Sequence, residues 1–280
     1  MSRSIQLLMV LIPALGLLAC VFCLIHWLET KLVYPAPRGG DAVAAEYGAE
    51  EQFISSMDGT RVHAWFYPVP EATHTLVFFH GNGESIEFSG PWAGNLATAL
   101  NANVLMFDYR GYGLSEGKPF ERGIVQDGIS VVDWLAARLG VPTQQFVYVG
   151  RSLGGGVAAQ VAISRPPKAL VMLSTFSSLV DVAGELMPWA PVRLLMKNRY
   201  ESSNALAQMD VPLLVVHGDA DRLVPLKLAK RMFEAAGSVS KQLLVLPDKG
   251  HNDLGLEDFL PAVETFLDEI KVTKDSGQHR

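Results

Sequence analysis

"VYVGRSLGGGVAAQVAIS", residues 147–164, sets a short strand-like run against a glycine-framed serine, and a string of small residues follows. Gly150-Arg151-Ser152-Leu153-Gly154 has the spacing G-x-S-x-G. An apolar strand before it and a small-residue helix after it are the context that spacing requires. A strand-to-helix turn this tight strains the serine backbone, and flanking glycines leave room for it. The strain lifts the hydroxyl above the edge of a sheet, with the helix N-terminus behind it. The other reading of Ser152 is a plain cap on the following helix. The rest of the chain has to decide between them.

Outward from this stretch the sequence alternates. "RVHAWFYP" (61–68) is an alternating strand preceded by the turn "MDGT". "TLVFFH" (75–80), "NVLMFDY" (103–109), "QFVYVG" (145–150), "ALVMLST" (169–175), "VPLLVVHG" (211–218) and "KQLLVLP" (241–247) are short continuous apolar runs. Such runs fit strands buried on both faces of a parallel sheet. Helical spacing fills the intervals, around 90–100, 123–139, 153–164, 225–236 and 256–270. The expected fold class is therefore α/β, a doubly wound and mostly parallel sheet with helices on both faces. Ligands of such a sheet sit at the carboxyl ends of its strands.

A serine hydroxyl attacks only when a base takes its proton, and the base needs an orienting carboxylate. Downstream of Ser152, "VVHGDADRLVP" ends one strand in a loop holding Asp219 and Asp221, and "LLVLPDKGHND" ends the last strand at His251. Other histidines compete poorly. His63 lies inside a strand, His74 in a turn, His26 in an apolar run and His279 in the tail, and His217 at a strand end is read as structural. Asp219 directly follows Gly218, where a short carboxylate commonly caps a turn. Asp221 stands further out, which suits a carboxylate reaching the neighbouring loop. An acyl-transfer site also needs oxyanion donors. "FFHGNGES" (78–85) supplies small residues at a strand end, and the backbone N–H groups of Asn82 and Leu153 form the expected pair. An ordinary Asn-Gly turn is the alternative for that loop.

Together, "FFHGNGES", "FDYRGYGLSEGKP", "VGRSLGGGVA", "HGDADRLVP" and "KGHND" resemble the α/β-hydrolase superfamily over residues 53–267. The resemblance is to its membrane-anchored α/β-hydrolase-domain branch, with serine aminopeptidase-like and monoglyceride-lipase-like domains similar too. It implies Ser152 as nucleophile, His251 as base and Asp221, the aspartate before "RLVP", as acid. It also implies that residues 107–117 shape the pocket rim. The activity implied is hydrolysis of carboxylic esters or thioesters through an acyl-enzyme. The alternatives are an aminopeptidase-like amidase and, from another class, a non-catalytic binding protein of the same fold. No metal and no organic cofactor is implied.

Composition bounds the rest. The 280 residues are 49% hydrophobic and 19% charged, which excludes a disordered chain. A net charge of −6 without any Lys/Arg cluster argues against a nucleic-acid partner. Residues 5–28, "IQLLMVLIPALGLLACVFCLIHWL", carry no charge; as a helix they would reach roughly 36 Å, enough to cross a bilayer core of about 30 Å. The reading is an N-terminal membrane helix, with lipid attachment at Cys20 of "LLAC" and simple signal-peptide cleavage as the lesser alternatives. Both cysteines, Cys20 and Cys23, fall inside this stretch, so no disulfide or Cys-based metal site is available to the rest of the chain. The expected organisation is an anchor (1–30), a Pro/Gly/Ala-rich arm (31–50), the hydrolase domain (51–272) and a polar tail (273–280). A helical cap is expected around 176–206. There Leu186, Met187, Trp189, Leu194, Leu195 and Met196 would line an acyl pocket or face a bilayer, unless they only pack the cap on its own domain. The expected partners are a small-molecule or lipid-like acyl substrate and a membrane.

Overall fold

The computed structural model describes residues 12, 16, 20, 23–40 and 42–277. Among them eight strands form one sheet: β1 (Glu50–Ser55), β2 (Arg61–Tyr67), β3 (His74–Phe79), β4 (Ala102–Phe107), β5 (Phe146–Arg151), β6 (Ala169–Leu173), β7 (Leu213–Gly218) and β8 (Lys241–Leu246). Their spatial order is β1-β2-β4-β3-β5-β6-β7-β8. β2 pairs antiparallel with β1 and β4, and every later pairing is parallel. The apolar runs thus form the parallel sheet, as their composition predicts.

The helices between them are α1 (Ile86–Ala99), α2 (Glu121–Leu139), α3 (Leu153–Ser164), α4 (Leu179–Leu186), α5 (Val192–Leu195), α6 (Ser202–Leu206), α7 (Leu226–Ala235) and α8 (Leu256–Gly277). Strand side chains alternate between two apolar layers. Val77, Phe79, Tyr148 and Val215 meet α2, α3 and α7 through Ile124, Val157 and Leu228. Leu76, Phe78, Val149 and Val216 meet α1 and α8 through Leu96, Phe259 and Phe266. Each fully buried Phe or Leu contributes about 1.5–3 kcal/mol of apolar burial, so both faces must be covered.

Two features depart from the sequence pattern. β1 carries no strand signal in the sequence, because "EEQFIS" buries only Ile54 and leaves Phe53 exposed; its acidic residues suit a sheet edge. α1 begins at Ile86, earlier than the spacing suggests, because the buried Asp108 carboxylate accepts the Ile86 N–H at 2.9 Å.

Among the described residues no helix is long and apolar enough to cross a membrane. Most of the apolar stretch 5–28 lies outside the described residues, of which 23–33 are helical. The end of that helix and the residue after it are pinned to the body. Glu29 Oε1 accepts the N–H groups of Lys197 and Asn198 and the Asn198 side-chain amide at 2.8–3.0 Å. The buried Tyr34 hydroxyl meets Asn198 Oδ1 and Tyr200 Oη, each at 2.8 Å.

Candidate active site

Ser152 stands between β5 and α3 with φ 51° and ψ −116°, a conformation that costs a non-glycine residue energy. The sheet holds it there: the Ser152 N–H donates to Leu173 O at 2.8 Å. Its side chain makes no capping bond to α3, so the helix-cap reading does not apply. The two framing glycines are required by close approach. A Cβ on Gly150 would lie 2.5 Å from Gly155 Cα, and one on Gly154 would run into the Phe79 carbonyl oxygen. Backbone cannot yield as a flexible side chain can. Gly154→Ala is therefore expected to cost about 2–3 kcal/mol and lower Tm by several degrees in thermal denaturation. An unchanged Tm would contradict the packing described.

The free hydroxyl meets the histidine. Ser152 Oγ lies 3.0 Å from His251 Nε2, and His251 Nδ1 lies 2.7 Å from Asp221 Oδ2. An ionised carboxylate only accepts, so Nδ1 carries the proton and Nε2 is left to accept from the serine. His251 sits on the loop between β8 and α8. The Gly250 N–H on Asp253 Oδ2 at 2.9 Å closes its turn, and a contact from Ala220 N–H to Lys249 O at 3.1 Å ties it to the β7 loop.

The two aspartates separate cleanly. Asp221 is 5% exposed, and its Oδ1 accepts the N–H groups of Leu223 and Val224 at 2.9 and 2.8 Å. Burial pushes its carboxyl pKa up, but hydrogen bonds from His217, His251 and the Val224 N–H outweigh that and hold it well below the usual carboxylate range. Asp219 is exposed, and its Oδ1 accepts the Asp248 N–H at 2.8 Å, a turn-tying role. His217 lies fully buried beside Asp221. Its Nε2–H donates to Val224 O at 2.8 Å and stands 3.3 Å from Asp221 Oδ2. Its place on β7 is legible in the sequence, its contact with Asp221 is not.

The loop after β3 lies against this turn, since Gly154 abuts Phe79 O and His80 O and a Cβ on Gly81 would stand 3.8 Å from Arg151 O. Asn82 is half-buried on it, and its side-chain amide donates to Val33 O at 3.3 Å, a link to the N-terminal arm that the sequence does not announce. Leu153 is the first residue of α3, so its N–H has no intrahelical acceptor. The expected cap segment forms α4, α5 and α6. Met187 and Met196 pack on Val180, Ala183 and Val192, and Leu195 is half-buried. Leu186, Trp189 and Leu194 point outward, at 51%, 83% and 86% exposure. The cleft beside them is lined by Met187, Val192, Leu228 and Arg231, among others, and not by Ser152, Asp221 or His251.

Residues 74–200 match the family model described as alpha/beta hydrolase fold. The Mycobacterium tuberculosis protein Rv2307c is 34% identical over 261 residues, covering 87% of this chain and 89% of its own. The Arabidopsis thaliana alpha/beta hydrolase domain-containing protein WAV2 is 32% identical over 226 residues, covering 74% and 73%. Among solved structures the Pyrococcus furiosus esterase Pf2001 superposes with a TM-score of 0.68 at 20% identity, over 84% of this chain and 95% of that one.

Proposed function

The chain belongs to the α/β-hydrolase family, and from that premise we propose that it is a serine hydrolase cleaving carboxylic esters or thioesters of apolar acyl groups through an acyl-enzyme. One observation carries the reading. A serine held at φ 51° at a strand-to-helix turn leads, through contacts of 3.0 and 2.7 Å, to a histidine and a buried ionised aspartate. Ser152 Oγ attacks the acyl carbon as its proton passes to His251 Nε2, and Asp221 steadies the imidazolium. The backbone N–H groups of Leu153 and Asn82 receive the charge on the carbonyl oxygen. His251 then protonates the leaving alcohol or thiol, and the bond to it breaks. In the second half a water gives its proton to His251 and attacks the acyl-serine ester; the acyl–Oγ bond breaks as His251 returns the proton to Ser152 Oγ, releasing the acid.

The uncharged stretch 5–28 supports a single N-terminal membrane helix. The outward Trp189 and Leu194 are consistent with a cap that meets an apolar phase. The test is a panel of p-nitrophenyl esters of rising acyl length beside aminoacyl anilides, with fluorophosphonate labelling of the same sample. Labelling with ester turnover is the expected result. Turnover of anilides in preference to esters would make the protein an amidase, and absence of labelling would leave only a binding role.

A further inference from the structure

We propose that Arg151, the residue between Gly150 and the strained serine, is a positioning residue that holds the loops on both sides of Ser152 in register, with Glu84 as its partner. The proposal rests on the serine-hydrolase reading above. Arg151 ends β5, where it is registered against Leu173 of β6, so its backbone is fixed by the sheet. Its guanidinium forks. Nη1 lies 2.9 Å from Glu84 Oε1, and Nη2 donates to Asn252 Oδ1 at 3.4 Å. Asn252 is the neighbour of His251, and Glu84 closes the turn that carries Asn82.

Glu84 is committed on its other side as well. Its Oε2 accepts the Gly81 N–H at 3.3 Å and the Ser89 hydroxyl at 3.0 Å, while its own N–H donates to Gly81 O at 3.3 Å. The carboxylate therefore folds the four-residue turn 81–84 onto itself and hands it to the arginine. One planar cation thus reaches both the loop bearing the expected oxyanion donor and the loop bearing the base. Both partners of the pair are largely shielded, with side chains 22% and 12% exposed.

An ion pair this shielded adds little net folding stability, because desolvation offsets much of its Coulombic gain. Transition-state charge, by contrast, is read at hydrogen-bond tolerance, and a donor misplaced by about 1 Å costs on the order of 100-fold in rate. The pair should therefore show in kcat rather than in Tm. Lysine cannot replace the fork, because one ammonium on a flexible stem does not hold two loops at fixed spacing.

The experiment uses the full chain in detergent, with variants Glu84→Gln, Arg151→Met, Arg151→Lys and the Glu84→Gln/Arg151→Met pair. kcat on a short p-nitrophenyl ester is expected to fall roughly 10- to 100-fold in the first two, with KM within about twofold and Tm nearly unchanged. Affinity for an alkyl boronic acid, whose serine adduct is tetrahedral, should weaken in the same ratio as kcat. The double variant should be no worse than Arg151→Met alone, since that variant already cuts the Glu84 link along with the Asn252 one, and Arg151→Lys, which can keep one of the two, should recover part of the rate. Should Arg151→Met fail to fold, the near-isosteric Glu84→Gln decides. The proposal is overturned if every variant keeps kcat within about twofold of wild type, if the loss falls on KM alone, or if the two single losses multiply in the pair. A wild-type chain that neither labels with fluorophosphonate nor turns over ester overturns the serine-hydrolase reading itself, a result the variants cannot mimic.

Discussion

Ser152→Ala is expected to abolish fluorophosphonate labelling and to lower ester kcat by roughly four to six orders of magnitude, leaving only what the oxyanion donors and binding supply. The size follows from the geometry. Ser152 Oγ is the atom 3.0 Å from His251 Nε2, and alanine removes that atom alone. The substitution keeps Cβ, so the positive-φ backbone is neither relieved nor further strained, and the Ser152 N–H to Leu173 O bond is untouched. The stability change should amount to one lost hydrogen bond, about 1 kcal/mol. Mass spectrometry of the labelled chain and a thermal scan read both halves of this expectation. A mutant that still labels, or one that loses activity by unfolding, would contradict it.

The second large effect separates two aspartates that stand two positions apart. Asp221→Asn is expected to lower kcat about 10⁴-fold, and Asp219→Asn only a few-fold. At position 221 one oxygen accepts the N–H groups of Leu223 and Val224, so an asparagine must keep its carbonyl there. Its amide N–H₂ then faces His251 Nδ1. Two donors cannot face each other at 2.7 Å, so the imidazole moves its proton to Nε2, where it no longer accepts from Ser152. At position 219 an asparagine carbonyl still accepts the Asp248 N–H, and nothing in the proton path changes. Steady-state kinetics of both variants, with circular dichroism to establish folding, gives the ranking. If Asp219→Asn proves the inactive one, the acid is misassigned.

How legible all this is from sequence depends on the range over which each feature is determined. Continuous apolar runs such as "TLVFF" and "LLVV" announce strands buried on both faces because both apolar layers claim their side chains. β1 gives no such signal, since only Ile54 of its six residues is buried and the strand exists by pairing with β2. The elbow is legible for a local reason: G-x-S-x-G records close approaches of Gly150 and Gly154 to backbone a few ångströms away. In the segment 176–206, the sequence shows that Leu186, Trp189 and Leu194 are apolar. It does not show that they face outward, because helices of four to eight residues take their orientation from what they pack on.

From sequence come the elements other than β1, their order, and the expectation of Ser152, His251 and Asp221 at strand ends, since each depends mainly on residues within a single turn or strand. The three-dimensional structure adds that Ser152 and His251, 99 residues apart, come within 3.0 Å, and that Asp221 meets the imidazole at 2.7 Å while Asp219 ties a turn. It alone shows His217 beside Asp221, the Arg151–Glu84 bridge, and the Val33 carbonyl on Asn82. The Ser152–His251, His251–Asp221 and Arg151–Glu84 contacts join segments that meet because parallel strands deliver their carboxyl ends to one edge. A one-dimensional pattern specifies which side chains can donate and accept; the registers of β3 on β5, β5 on β6, β6 on β7 and β7 on β8 set which of them are within reach.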